Sequence, residues 1–153
     1  MTKIYSTFLF IIFINLTLFG QVKNSRLIEE KVNYQYDDEK PNETYIPKIQ
    51  IGKEIKINFD CCFNDSVQLF VNNKLVDKLF LKTNESTSFT GHSIIVKFDE
   101  KKKITIMKIV LPNKQVFCNI VLDKKYRLLN VNRMEDWGKT WPITFRNFGI
   151  VYE

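Results

Sequence analysis

The sequence contains no alanine, and glycine and proline are scarce, with 5 and 4 residues in a chain of 153. Alanine is the strongest helix former and one of the commonest residues of ordinary proteins, so its absence weighs against a helical protein. Glycine-rich loops of the kind that hold phosphate groups are absent. What remains is rich in strand-forming residues, and 13 phenylalanines provide material for a core. We therefore expect an all-β protein.

Residues that carry catalysis or bind metals are equally scarce. His92 is the only histidine, and no nucleophile elbow frames it with Ser93. The cysteines form no Cys-x-x-Cys pair, and Cys61 and Cys62 are expected on opposite faces of a strand, which does not suit a metal site. These absences predict a protein that is not an enzyme and holds neither a metal nor a cofactor. A secreted hydrolase using His92 is the alternative.

The basic residues point to turns rather than to nucleic acid. The net charge is a modest +6, and lysines concentrate at residues 101–103 and 124–125, between alternating apolar segments where hairpin turns would expose them. No aromatic residues of the kind that stack on bases are interleaved with these lysines. We therefore expect no nucleic-acid partner.

Residues 1–20 have the pattern of a signal peptide. Lys3 is the only charged residue, an apolar run covers residues 8–19, and Gly20 offers a small residue for cleavage. The run is shorter than the roughly 20 residues that span a bilayer. We predict that the segment is removed and that the protein is secreted or periplasmic. An uncleaved anchor is the alternative, and it would be the only contact with a membrane.

The rest of the chain divides into an arm and one domain. Residues 21–44 are polar and predict a mobile N-terminal arm that includes at most a short helix over residues 26–31. Residues 45–153 contain about nine alternating segments separated by turn signals, which is the pattern of an antiparallel β-sandwich. The clearest segment is 55–63, in which every odd residue is apolar and faces one side.

One hairpin follows directly from its turn residues. Asn72 and Asn73 separate two apolar segments, and asparagine tolerates the positive φ angles of a tight turn. We therefore expect residues 67–71 to pair with residues 74–82.

Two further predictions concern the segments that follow. In residues 104–111 the apolar positions change face near Met107, which predicts either a β-bulge or a strand buried on both faces. Four alternating segments between Ser93 and Arg133 are joined by short turns, and they predict a four-strand meander.

Cys61 and Cys118 fall on the apolar faces of two predicted strands, whereas Cys62 falls on the polar face of the first. In an oxidising compartment a disulfide is the default state of two inward-facing cysteines. We predict a Cys61 to Cys118 bridge between facing sheets, worth about 4 kcal/mol in the chain-entropy model, with Cys62 as a free thiol. A strained bond between the adjacent Cys61 and Cys62 is the alternative.

Two cysteines on two strands resemble the inter-sheet disulfide of immunoglobulin domains. The resemblance implies an immunoglobulin-like topology for the sandwich. It covers little else, because no Trp stands in the strand after Cys61, and Val116 takes the place of the Tyr expected two residues before Cys118. No functional residue is carried over from that family.

The best candidates for recognition are four residues near the C-terminus. Trp137 and Trp141 flank a short polar turn and are close in sequence to Arg133 and Arg146, and exposed Trp and Arg are favoured binding anchors. A protein surface or a carbohydrate ring would suit the aromatic pair. Packing of both tryptophans at the end of the core, beneath Pro142, is the alternative.

Taken together, these patterns predict an exported binding module that recognises a protein partner through its loops or through an open sheet edge. An inhibitor, an immunity-type protein and an envelope accessory protein fit this description equally. A subunit of a surface assembly, linked to its neighbour through Cys62, is a further alternative beside the hydrolase.

Overall fold

The structure is a computed structural model that describes residues 26–40, 44–136 and 138–150. The signal segment predicted over residues 1–20 and the predicted binding residue Trp137 lie outside these ranges. The regular structure of the described residues consists of twelve strands and one 3₁₀ turn at Pro112–Lys114. The strands are β1 Ile28–Glu29, β2 Lys31–Asp37, β3 Thr44–Tyr45, β4 Glu54–Phe59, β5 Asn64–Val71, β6 Lys74–Lys82, β7 His92–Lys97, β8 Thr105–Leu111, β9 Val116–Leu122, β10 Leu128–Val131, β11 Thr140–Arg146 and β12 Gly149–Ile150.

Ten of these strands form two five-stranded sheets that pack against each other. Sheet A has the order β1-β9-β8-β5-β6, sheet B has the order β2-β11-β10-β4-β7, and β3 pairs with β12 in a small separate sheet. The all-β sandwich that the sequence predicts is confirmed. Both sheets are mixed rather than purely antiparallel, because β1 lies parallel to β9, β2 parallel to β11, and β4 parallel to β10. Immunoglobulin domains have two antiparallel sheets, so the resemblance does not extend to the strand directions.

The core lies between the two sheets and follows the alternation seen in the sequence. Ile55, Ile57 and Phe59 of β4 are at most 1% exposed, and Cys118 and Ile120 of β9 in the facing sheet are fully buried. Burying an aliphatic or aromatic side chain of this size stabilises the fold by about 1.5–3 kcal/mol. The alternation of apolar and polar residues in these strands therefore determines which face of each strand packs in the core.

The hairpin of β5 and β6 forms where Asn72 and Asn73 predict it. Both residues have positive φ, 50° and 67°, and the two strands pair antiparallel on either side of them. The sequence prediction of this hairpin is confirmed.

Strand β8 shows no bulge near Met107, because it pairs with β9 without a register shift. Its last three residues, 109–111, are instead all buried, which is the second of the two predicted explanations for the pattern. The four-strand meander is wrong. Strands β8 and β9 are neighbours in sheet A, but β7 before them and β10 after them belong to sheet B. The chain crosses between the sheets on both sides of this hairpin, which lets the apolar faces of consecutive strands meet across the core.

Residues 28–37, part of the segment predicted as a mobile N-terminal arm, form β1 and β2 in place of the short helix considered there. Strand β1 extends sheet A beside β9, β2 extends sheet B beside β11, and Glu30 is the single residue between them. Tyr34 and Tyr36 of β2 stack on Phe145 of β11 and so cover one side of the core. The strands form because apolar residues alternate with polar ones along this segment, namely Ile28, Val32, Tyr34 and Tyr36.

The opposite side of the sandwich is bounded by the other two edge strands, β6 of sheet A and β7 of sheet B. Within the described ranges β6 pairs only with β5, and β7 pairs only with β4. Both therefore present a free edge. No helix among the described residues has the length and apolar character needed to cross a membrane.

Candidate functional site

Cys61 is bonded to its neighbour Cys62, and Cys118 is a free thiol that is fully buried. The predicted Cys61 to Cys118 bridge is therefore wrong, and so is the prediction of a free thiol at Cys62. Strand β4 ends at Phe59, so Cys61 lies in the bend where the chain leaves sheet B. Its N–H donates to Asn132 Oδ1 at 3.0 Å, and Cys62 turns the chain with a φ of 74°.

Cys118 keeps the inward orientation that the sequence predicts, but it acts as a core residue. Burial raises the pKa of its thiol well above the ordinary value, because surroundings without water disfavour the thiolate. A buried, protonated thiol is a poor nucleophile. The hypothesis of a surface assembly linked through Cys62 also loses the free thiol on which it depends.

Trp141 and Arg133, predicted as exposed binding anchors, are buried together with Glu30. Trp141 is 0% exposed and Arg133 is 2% exposed. Arg133 donates from Nε to Glu30 Oε2 at 3.2 Å and from Nη2 to Oε1 at 3.1 Å, and Trp141 Nε1 donates to Oε2 at 2.8 Å. Burial by itself would lower the pKa of the guanidinium, but the hydrogen bonds and charges of Glu30 and Glu135 outweigh it and raise that pKa.

This network is part of the structural core. The Arg133 guanidinium lies 5.7 Å from the centre of the Trp141 ring, and Glu30 accepts hydrogen bonds from both side chains. Trp141 thus follows the packing alternative rather than the binding one. Arg146 lies elsewhere, on the outer face of sheet B. The three predicted binding residues that the structure describes, Arg133, Trp141 and Arg146, are therefore not brought together as one site. Glu30, which the sequence prediction missed, binds two of them.

Arg146 instead lines a cleft of about 240 Å³ on the outer face of sheet B. We call it the polar cleft. The outward side chains of β4, β10 and β11 form its floor, and Tyr45 of β3 forms part of its wall. The floor residues that bear on its chemistry are Lys56, Asn58, Asp60, Leu128, Asn130 and Arg146.

Strand pairing arranges the floor of the polar cleft in two rows. Leu128 of β10 pairs with Lys56 of β4 on one side and with Arg146 of β11 on the other, which places a cation on each side of an apolar residue. Asn130, two residues further along β10, pairs with Asn58 of β4. A rise of about 3.3 Å per residue separates the two rows by about 7 Å. Arg146 also forms an ion pair with Asp37 of β2, from Nη2 to Oδ2 at 3.4 Å. The cleft therefore has a row with two cations, one of them already paired, which we call the cationic row, and an amide row.

Asp60 lies beside the amide row, where Asn130 Nδ2 donates to its Oδ2 at 2.6 Å. Burial raises the pKa of Asp60, because loss of water disfavours its charged form, and this outweighs the opposing effects of the Asn130 hydrogen bond and the Arg146 charge. Among the described lining residues Asp60 is the only carboxylate. Glycosidase chemistry requires two.

His92 begins β7 and lines the same cleft. The pairing of β4 with β7 places it opposite the inward-facing Phe59, whereas Ser93 lies opposite the outward-facing Asn58. The two side chains therefore leave the strand on opposite faces, an arrangement that does not join a serine nucleophile to a histidine base. The hydrolase alternative stays a hypothesis that depends on His92 alone. Within the described ranges no three His, Cys, Asp or Glu side chains converge as a metal site would require.

A second candidate site is an apolar groove of about 230 Å³ between the edge strands β6 and β7. We call it the edge groove. Val71 and Val76 line it from sheet A, and Ile94 and Val96 line it from sheet B. Val76 is 48% exposed, and the neighbouring Ile95 is 56% exposed. The groove thus offers apolar surface to solvent beside two strand edges whose outward N–H and C=O groups have no strand partner among the described residues.

Basic residues dominate the rim of the edge groove. Strand β6 carries Lys74, Lys78 and Lys82, all exposed, and β7 carries the exposed Lys97. Asp77 is the one acidic residue among the described residues that line the groove. The rim along β6 therefore carries mainly positive charge, interrupted by Asp77.

Comparisons of the chain with protein-family models, with curated proteins and with solved structures find no match.

Proposed function

We propose that this protein is an exported binding module that receives an extended segment of a protein partner in the edge groove, where the segment adds a strand to β6. The observation that carries the proposal is the free edge of β6 beside an exposed apolar groove. The other side of the sandwich is closed by β1 and by β2, whose Tyr34 and Tyr36 stack on Phe145, so the two sides of the molecule differ in what they offer to a partner.

Strand addition accounts for both parts of the surface. Main-chain hydrogen bonds to the free edge supply affinity, and pockets for alternate side chains of the added strand supply specificity. Inward-pointing residues of the added strand would enter the groove between Val76 and Val96. Its outward-pointing residues would lie beside Lys78 and Lys82 on the outer face of β6. An extended segment that alternates apolar and acidic residues satisfies both requirements.

A second copy of this chain fits the edge poorly. Strand β6 has an extra residue, Val76, between the residues that pair with Leu69 and Phe70 of β5. If two β6 strands paired antiparallel about Lys78, the two Lys78 residues would lie directly opposite each other. Like charges directly opposite each other destabilise strand pairing, and edge lysines are a common means of preventing it. The same lysines attract an acidic partner and accelerate its encounter with the edge.

Export to a secreted or periplasmic location is supported by two features. Residues 1–20 have the composition of a signal peptide. The bond between Cys61 and Cys62 is of the kind that persists in oxidising compartments and is rare in the cytosol.

Two synthetic peptides test the proposal on the folded protein that begins after residue 20. One alternates valine with glutamate over the length of β6, and the matched peptide alternates valine with lysine. Hydrogen exchange measured by mass spectrometry should show that the acidic peptide protects the amides of Lys74–Lys82, whereas the basic peptide leaves them unchanged. Equal protection by both peptides, or protection of β2 in place of β6, would contradict the proposal.

The variant Val76→Glu provides the matched test from the side of the protein. Val76 is 48% exposed, so a glutamate there perturbs the fold little but brings a carboxylate against the acidic peptide. The control is Val121→Glu, at a residue of β9 that is 50% exposed and separated from β6 by β8 and β5. We expect Val76→Glu to weaken peptide binding by about tenfold or more. Equal binding by the two variants would show that the groove is not the site.

A further inference from the structure

The polar cleft offers a second surface with a different chemistry from the edge groove. The two sites share no lining residue among those described. The cleft combines cations, amides and one carboxylate on its floor with an aromatic ring on its wall, whereas the groove is lined mainly by aliphatic side chains. Its ligand should therefore be polar, charged and smaller than a polypeptide.

We propose that the polar cleft binds a monosaccharide that carries a carboxylate group. The carboxylate lies between the Lys56 ammonium and the Arg146 guanidinium, and the ring hydroxyls hydrogen-bond to the amides of Asn58 and Asn130 and to the Asp60 carboxyl. This inference concerns a different face of the molecule and does not depend on the function proposed for the edge groove.

The spacing of the two rows is the first argument. About 7 Å separates the cationic row from the amide row along the strands, which is close to the distance across a six-membered sugar ring from its carboxylate to its far hydroxyls. An inorganic anion would engage the cationic row alone. In a free amino acid the carboxylate and the ammonium group are closer together than the distance between the two rows, so it would not span them. A ring with a carboxylate at one end can contact both.

The polar atoms of the floor give the second argument. Asn130 Oδ1 and Arg146 Nε are buried and have no hydrogen-bond partner among the described residues. Unpaired polar atoms in a folded protein are unfavourable and call for a reason. Asp60 adds to this pattern, because burial raises the pKa of its carboxyl group and perturbed pKa values are common at functional sites. A ligand with several hydroxyl groups would offer donors and acceptors to the solvent-accessible atoms of these same side chains, which are partly exposed.

The wall and the size of the cleft fit the same ligand. Tyr45 is 45% exposed and packs directly on Gly149, where a Cβ atom would overlap its ring. Gly149 therefore allows the aromatic ring to lie at the edge of the cleft, where it can contact the apolar face of a sugar. A volume of about 240 Å³ is below the range of sites for drug-sized molecules and suits a single ring.

Titration of the folded protein with sodium glucuronate, monitored by amide chemical shifts in NMR spectra, tests the inference. Glucuronate should shift the signals of β4 and β10 in a saturable manner, and glucose at the same ionic strength should bind at least about tenfold more weakly, because it makes no charge-assisted contact. Sodium sulfate should not displace glucuronate at equal concentration. Equal binding of glucose and glucuronate, or full displacement by sulfate, would overturn the proposal, the latter because it would show a simple anion site.

The matched variants are Lys56→Met and Lys108→Met. Lys56 belongs to the cationic row, whereas Lys108 lies on the outer face of sheet A over the Phe117 ring. We expect Lys56→Met to weaken glucuronate binding by about tenfold or more and to leave glucose binding unchanged, with Lys108→Met behaving as wild type. Equal affinity of both variants for glucuronate would overturn the assignment. Amide spectra that match wild type outside the substituted strand, β4 for Lys56→Met and β8 for Lys108→Met, confirm that each variant is folded.

Discussion

The substitution Glu30→Gln tests whether the buried ionic network holds the two sheets together. Glu30 is the residue between β1 and β2, is 7% exposed, and accepts three hydrogen bonds from Arg133 and Trp141. Glutamine has the same shape but no charge. The substitution therefore leaves the buried Arg133 guanidinium in place with Glu135 as its remaining acidic partner.

We expect the substitution to lower the free energy of unfolding by about 3 kcal/mol. With its single oxygen at the position of Oε2, glutamine keeps the bonds from Arg133 Nε and Trp141 Nε1 but turns its NH₂ group toward Arg133 Nη2. One charge-assisted hydrogen bond, worth about 1.5–3 kcal/mol, is lost. Removing one partner of a buried ion pair costs about 3–5 kcal/mol, and the contact that Arg133 retains with Glu135 places the value at the lower end of that range.

Urea unfolding monitored by far-ultraviolet circular dichroism measures this loss. The control is Glu29→Gln, the same substitution one residue earlier, where the side chain is exposed and accepts a hydrogen bond from Asn119. A substitution at such a surface position should change stability by no more than about 0.5 kcal/mol.

A loss of less than about 1 kcal/mol for Glu30→Gln would refute the reasoning, because that is the range of a solvent-exposed salt bridge. The double variant Glu30→Met with Arg133→Met provides a second check. It removes both charges and replaces them with apolar side chains, so it should lose less stability than Glu30→Gln does, since no unpaired charge is left inside the protein.

Three further predictions concern Asp60 and the cysteines. Asp60→Asn should raise the unfolding temperature at neutral pH, because burial raises the pKa of Asp60 and its charged form therefore destabilises the folded state. As the pH falls through this pKa, wild type takes up the proton and its disadvantage relative to the variant disappears. Thermal unfolding between about pH 3 and pH 7 should therefore show the unfolding temperatures of the two proteins converging in acid. A thiol-specific reagent should label Cys118 only after urea unfolds the protein, since its thiol is buried and protonated, and labelling of a thiol in the native state would contradict the assignment of a buried free thiol. Replacing Cys61 and Cys62 together by serine should lower the free energy of unfolding by about 1 kcal/mol, because a disulfide between neighbouring residues closes almost no loop. A measured loss near the roughly 4 kcal/mol of a long-range bridge would argue for a different pairing.

Local pattern was sufficient wherever one face of a strand meets the core. The alternation through Ile57 and Phe59 predicts the buried face of β4, and the pair Asn72 and Asn73 predicts the β5 to β6 turn, because both depend on neighbours along the chain. The sequence of β2 also alternates, with Tyr34 and Tyr36 on one face. Its other residues are mostly polar because β2 is an edge strand with one face exposed, and the segment was therefore interpreted as an arm and not as a strand.

The disulfide could not be predicted from the same pattern. Alternation continues past the end of β4 as far as Phe63, which is 3% exposed, so nothing in the order of apolar residues marks the bend at Cys61 and Cys62. The bend arises because the chain passes there from sheet B to sheet A. Which sheet a strand enters is a property of non-local pairing, and the alternation of a single segment carries no information about it.

The polar cleft depends on the same non-local information. Lys56 and Arg146 become neighbours across Leu128 only because β10 inserts between β4 and β11. The sequence prediction selected Arg146 as a binding residue for its proximity to Trp141 along the chain, whereas the structure gives it other neighbours. Sites of this type need the strand order before their residues can be identified.

The position of Glu30 has a consequence for how the chain is made. Its partners Arg133 and Trp141 lie 103 and 111 residues further along the chain, so these contacts can form only after more than 100 further residues have been synthesised. Pairing between such distant segments also slows folding. In the exported protein that we propose, the stretch next to the leader would thus remain unpaired for longest, in the extended form in which a polypeptide passes through a translocation channel.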